Sequence, residues 1–214
     1  MRPCALLYAE RGVLKSMEHI NNICIFASSS ELLEPKYFAL AEELGHAVAR
    51  LGAGMVFGGG QRGLMGAVAR GVKEEDGRIT GVIPVRLNKP GVAFEGCTEF
   101  YETETMHARK QRMEDLSDAF IALPGGFGTL EEVLEVITLR QLGYHDKPIV
   151  IINLDGFYDP LFEQFERLYA EKFADVAYRA MYAVACGAEE AIAIIQAYVP
   201  ADLPDKLQVT EASV

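Results

Sequence analysis

Short apolar runs alternate with longer amphipathic stretches from Asn22 to about Val199. Ile23-Cys24-Ile25-Phe26 reads as a buried strand, closed by the turn-prone Ser28-Ser29-Ser30. Leu40, Ala41, Leu44, Ala47, Val48 and Leu51 then recur at the spacing of a helix with one apolar face. Met55-Val56-Phe57 predicts the next strand, followed by Gly58-Gly59-Gly60 and a helix over Leu64–Lys73. Ile79–Ile83 predicts a third strand, stopped by Pro84, and residues 85–97 read as a loop. Glu99–Glu102 predicts a short strand before a helix over Met106–Leu116. Ala119–Leu123 is a strand running into Pro124-Gly125-Gly126, then a helix over Leu130–Leu142 and a strand over Ile149–Ile152. Asp159-Pro160 predicts a helix start with an acidic N-cap, opening Leu161–Phe173. Tyr182–Ala185 and a helix over Glu189–Tyr198 complete the series.

Strands alternating with helices in units of this length imply right-handed crossovers. The expected fold is a single α/β domain over 22–199, Rossmann-like, a doubly wound parallel sheet with helices on both faces. Residues 1–21 read as a flexible N-terminal extension, with Met17 just ahead of the first strand, and 200–214 as a C-terminal tail. In such sheets ligands sit beyond the carboxyl ends of the strands. The loops at Ser28–Ser30, Gly58–Gly63 and Gly125–Thr129 are therefore expected to line one crevice.

The chain carries a net charge of −11, from 20 basic and 31 acidic residues. That surface argues against nucleic acid as the main partner but leaves room for a small anion held by backbone dipoles. No apolar run reaches the roughly 18–20 residues that cross a bilayer. Cys4, Cys24, Cys97 and Cys186 show neither CxxC nor zinc spacing, and the four histidines do not cluster. The reading is of reduced thiols in a cytoplasmic protein, with no metal or cofactor called for.

Gly58-Gly59-Gly60-Gln61-Arg62-Gly63 matches GxGxxG between a strand and a helix. It lies on the second strand, without the acidic partner of a dinucleotide site and without the GK[ST] of a P-loop. A tight turn with close helix packing would explain it, but the preferred reading is of backbone N–H groups that cradle a phosphate at the helix N-terminus. Pro124-Gly125-Gly126-Phe127-Gly128-Thr129-Leu130-Glu131-Glu132 offers a second such cradle. Its Thr129-x-x-Glu132 also spells a capping box, so Glu132 has a structural reading beside a catalytic one. Met106-His107-Ala108-Arg109-Lys110 opens a helix, and a basic pair there is more often a solvated face than a site.

Together these motifs resemble the Lonely Guy (LOG) proteins, the cytokinin riboside 5′-monophosphate phosphoribohydrolases, from Asn22 to about Val199. The resemblance rests on Gly58-Gly59-Gly60 with Gly63-Leu64-Met65-Gly66, on Met106–Lys110, on Pro124–Glu132, and on Leu134–Thr138 through Gln141-Leu142-Gly143 and His145–Pro148. It implies hydrolysis of the N-glycosidic bond of an adenine nucleoside 5′-monophosphate to free base and ribose 5-phosphate. It also implies a homodimer with active sites near the interface. The family's catalytic pair falls on Arg109 and Glu132. Its nucleotide-binding backbone falls on Gly126–Glu132 (Phe127, Gly128, Thr129, Leu130 and Glu131 between them), with Lys110 beside it. Gly125, Gly59, Gly60, Gly63, Ser28 and Met106 complete the expected substrate-binding set.

In the implied chemistry, Glu132 opposes positive charge on the ribose and orients water, while Arg109 keeps Glu132 ionised or steadies the departing purine. The chain departs from the family in Phe26-Ala27-Ser28-Ser29, where members usually carry Cys-Gly-Ser-Ser, and in the loop 85–97, expected over the substrate. The alternative class is a nucleotide- or molybdenum-cofactor-binding carrier or sensor of the same fold, which has no need of Arg109 and Glu132 together. An older label for some family members, lysine decarboxylase, expects a pyridoxal-type cofactor, and no anchoring lysine context is visible.

Overall fold

The computed structural model describes residues 20–204. The expected extension and tail fall largely on 1–19 and 205–214, outside the described residues. At the near edges the chain is tied down: Ile20 packs on the core, Asn21 donates its N–H to Asp118, and Leu203 packs beneath the other face of the sheet.

Seven parallel strands form the sheet in the order β4-β3-β2-β1-β5-β6-β7. They are β1 (Asn22–Phe26), β2 (Gly54–Phe57), β3 (Ile79–Pro84), β4 (Glu99–Thr103), β5 (Ala119–Ala122), β6 (Ile149–Ile152) and β7 (Ala183–Ala185). The helices are α1 (Pro35–Arg50), α2 (Gly63–Glu74), α3 (Met106–Asp115), α4 (Phe127–Gln141), α5 (Asp159–Ala170) and α6 (Ala188–Gln196). The central strands are apolar on both faces because helices cover both. Ile23 and Ile25 of β1 face a core built with α1, α2 and α6, whereas Cys24 and Phe26 face a second core that includes Met113, Val133, Val136 and Tyr158.

Successive strands step one way from β1 to β4, and from β5 the other way to β7. The order therefore reverses between β1 and β5, where diverging loops open a crevice at the carboxyl ends. That is where the three expected loops meet.

Local differences from the sequence reading have physical causes. Helix α4 begins at Phe127, not Leu130: Gly128 is a poor helix former, yet it is accepted in the first turn, where tertiary packing outweighs a cost of about 1 kcal/mol. Asp159 is the first residue of α5 rather than its cap, and its carboxylate accepts from Asn153. Two short 3-10 turns, Leu154–Gly156 and Val176–Met181, are too brief to leave a periodicity. Among the described residues, no helix is long and apolar enough to cross a membrane.

Candidate active site

Helix α3 starts where the Thr105 hydroxyl accepts from the Ala108 N–H at 3.0 Å. This cap fixes the helix against the end of β3 and aims Arg109, one turn in, beneath the crevice. The Arg109 Nε donates to the Val82 carbonyl at 3.2 Å, and a Cβ at Gly58 would collide with its guanidinium. The glycine at the end of β2 is thus the space in which the arginine lies. Arg109 and Lys110 are each 9% exposed, so the basic pair is not a solvated face.

From the other side of the crevice, α4 brings Glu132 to Arg109, with 3.4 Å between carboxylate and guanidinium. Both side chains are 11% exposed. Because Gly126 is the N-cap and offers no side-chain bond, Thr129 lies inside the first turn and Glu132 in the second. The capping-box reading of Thr129 and Glu132 is therefore overturned. Glu132 is spent on Arg109, not on the helix start.

Burial pushes the Glu132 carboxyl up to about 7, with Arg109 pulling the other way and Glu131 adding to the rise. The pairing expected to keep Glu132 ionised is thus outweighed by desolvation, and the group sits where it can both take and give a proton near neutrality.

The first-turn N–H groups of Phe127, Gly128 and Thr129 lie at the open end of α4, where a helix leaves its donors without intrahelical partners and its dipole favours an anion. The Thr129 hydroxyl lies against Gly125, and Tyr158 supports the loop from below by donating to the Leu123 carbonyl at 2.8 Å.

The other glycine loop is arranged differently. The Gln61 N–H donates to Val92 at 2.9 Å and the Leu64 N–H to Ser28 at 2.8 Å, so these donors are already bonded within the protein. Gly63, at φ +59°, touches the Ser28–Ser29 backbone, which binds the β1 and β2 loops into one wall. Gly59 packs on Ile83 and Phe100, and Gly60 bridges to Ala93. Turn and packing thus account for Gln61, Gly63 and Leu64 of this loop. The segment 85–97 folds over it, with Phe94 edge-on to Phe57. Met106 places its sulfur 3.9 Å from Arg109.

Lys110 points along α4 rather than into the crevice, bonding Glu131 and, at 2.8 Å, Glu135. Burial works against its charge, but these two carboxylates outweigh that and raise its pKa. Glu135 and Glu114 were not singled out from the sequence. The signal was there in the i+4 spacing of Lys110 and Glu114 and in the run of acids on α4, but such pairs are ordinary on exposed helices. Among the described residues, no group of three His, Cys, Asp or Glu is arranged to hold a metal.

Residues 65–195 match the family model described as "Possible lysine decarboxylase". The probable cytokinin riboside 5′-monophosphate phosphoribohydrolase LOGL9 of Oryza sativa subsp. japonica is 41% identical over 178 residues, 83% of this chain and 78% of its own. The cytokinin riboside 5′-monophosphate phosphoribohydrolase LOG2 of Arabidopsis thaliana is 37% identical, covering 87% of each chain. Among solved structures, the molybdenum cofactor binding protein of Rippkaea orientalis superposes with a TM-score of 0.64 at 23% identity, over 84% of this chain and 97% of its own. At that identity the likeness is one of fold. The sequence relatives carry more, and together with the matched model they establish that the chain belongs to the LOG family.

Proposed function

We propose that the protein hydrolyses the N-glycosidic bond of adenine-type nucleoside 5′-monophosphates, either cytokinin riboside monophosphate or AMP, to free base and ribose 5-phosphate. The observation that carries this reading is the buried Arg109–Glu132 pair beside the open start of α4. The 5′-phosphate sits on the N–H groups of Phe127, Gly128 and Thr129, with the Thr129 hydroxyl beside it. Binding energy from this non-reacting group places the ribose against Glu132.

As the C1′–N bond breaks, its electron pair leaves on the purine and positive charge grows on the ribose. Ionised Glu132 opposes that charge. The water oxygen bonds C1′, its surplus proton passes to Glu132 and then to solvent, and the purine takes one proton from solvent. Arg109 holds Glu132 in place and favours its ionised form.

The LOG names of the relatives support this reading. The family model's description would require a lysine able to form a Schiff base with a pyridoxal ring. Lys110 does not fit that role, since two glutamates keep it protonated. We further place the protein in the cytoplasm, on its free cysteines Cys24, Cys97 and Cys186, and expect a homodimer that acts on the small nucleotide and not on nucleic acid. Release of free base from AMP or from isopentenyladenosine monophosphate tests the proposal. Tight binding of either without release would favour a carrier.

A further inference from the structure

Five side chains from three elements line one narrow gap: Phe26 at the end of β1, Lys110 and Glu114 one turn apart on α3, and Glu132 and Glu135 on α4. Glu132 reaches this space from the crevice. Glu114 reaches it from the outer side, where it is half-buried. Lys110 acts on both through its charge, its ammonium bonded to Glu131 and Glu135. Lys110, Arg109 and, beside Glu114, Lys147 thus serve four carboxyl groups, and burial adds to the cost of ionising Glu114 and Glu132 together.

We propose that Glu114 is a positioning residue for the hydrolysis, setting through Lys110 and Glu135 how readily Glu132 exchanges its proton; this rests on the hydrolase reading above. The groups around it support that role. Lys110 and Asp115 on its own helix, Glu135 on α4 and Lys147 ahead of β6 all act on Glu114, and Lys147 donates to its backbone carbonyl at 2.8 Å. Burial first, then Glu135, pushes its carboxyl up to about 7, alongside Glu132. Around Glu132 stand Arg109, Lys110, Glu131 and Glu135, and the Cys24 thiol from β1, which burial keeps neutral. Lys110 and Glu135 act on both carboxyls, so negative charge at Glu114 enters the same cluster of charges that holds Glu132 and disfavours its ionisation.

The test is the pH profile of kcat/KM for AMP hydrolysis by wild type, Glu114→Gln and Glu114→Asp. Glutamine behaves as a permanently protonated Glu114, so the limb belonging to Glu132 moves to lower pH by ~0.5–1 unit. Aspartate keeps the charge and leaves the limb near its wild-type position. A limb unmoved in a folded Glu114→Gln protein overturns the proposal, as does an equal loss of rate at every pH. Titration of the Glu132 carboxyl by ¹³C NMR reads the same shift without turnover. A shift seen there in a protein that releases no base from any nucleotide refutes the hydrolase reading. Turnover with no shift refutes the role of Glu114. Should Glu114→Gln fail to fold, Glu114→Ala is measured in its place with the same expected direction.

Discussion

The guanidinium of Arg109 and the carboxylate of Glu132 stand 3.4 Å apart, both nearly buried, although they come from helices on opposite sides of the sheet's reversal point. Neither helix needs the pair for its own start: α3 is capped by Thr105 and α4 begins at Gly126 without a side-chain cap. Burying two charges costs folding energy that their attraction only partly returns. The rise of the Glu132 carboxyl to about 7 is the sign of that cost. An arrangement that costs stability in this way supports the proposed catalytic role of the pair.

Gly58→Ala tests the placement of Arg109 without altering either charged residue. The added methyl occupies the guanidinium's space and displaces it. Because a misplacement of about 1 Å can cost roughly 10²-fold, turnover should fall by about that factor in a protein that remains folded. Steady-state kinetics and a thermal melt measure both.

Glu132 should also give the rate a pH dependence. In the proposed mechanism the ionised form opposes charge on the ribose, and burial raises the group's pKa to about 7. In the free enzyme, kcat/KM should therefore rise from pH 5 to 8 with a midpoint near 7. The substrate's phosphate, titrating near about 6, adds a limb common to all variants. A pH-rate profile on wild type and on Arg109→Lys separates the two.

Stability should depend on the same group with the opposite sign. Its folded pKa lies above the unfolded value, so the folded state holds the proton more tightly. That stabilisation is complete below about pH 4.5 and is lost as pH rises through about 7. Glu132→Gln should accordingly melt above wild type at pH 8 and close to it at pH 5. A residue that capped its helix would instead lose ~1 kcal/mol on substitution at neutral pH. Differential scanning calorimetry at the two pH values distinguishes these.

Gly126→Ala probes the phosphate cradle. Apart from its chain neighbours, nothing lies within 4 Å of a Cβ built there, so the fold should tolerate it. A phosphate seated on the first turn of α4 would be crowded by the methyl. KM for the nucleotide should rise severalfold with only a small fall in melting temperature from the poorer N-cap, and isothermal titration with ribose 5-phosphate gives the affinity directly.

The strands and their order of succession were legible in the sequence because each central strand is a short apolar run bounded by glycine, serine or proline. The helix starts were less so. Phe127-Gly128-Thr129 reads as loop by local propensity, yet the first turn of α4 forms there on tertiary support, and this moved Glu132 from the cap into the second turn. Arg109 and Glu132 were legible only through the motif resemblance, since nothing in local periodicity says that Gly58 leaves room for a guanidinium. The GxGxxG match is ambiguous for a related reason. Its pattern records close packing at Gly63 as readily as a phosphate cradle, and only the bonds of Gln61 and Leu64 distinguish the two. The partners of Lys110 depend on how α3 and α4 lie side by side, which no spacing within either helix encodes.

The proposed cleavage of a nucleoside monophosphate rests on the Arg109–Glu132 pair. It is tested most directly by incubating wild type and Glu132→Gln side by side with AMP and with isopentenyladenosine monophosphate, following base and ribose 5-phosphate by chromatography. Wild type should release the two products in equal amounts from at least one nucleotide, and the folded variant should be slower by roughly 10²–10⁴-fold. A folded Glu132→Gln protein that turns over at the wild-type rate, or a wild type that binds nucleotide tightly and releases nothing, would contradict it.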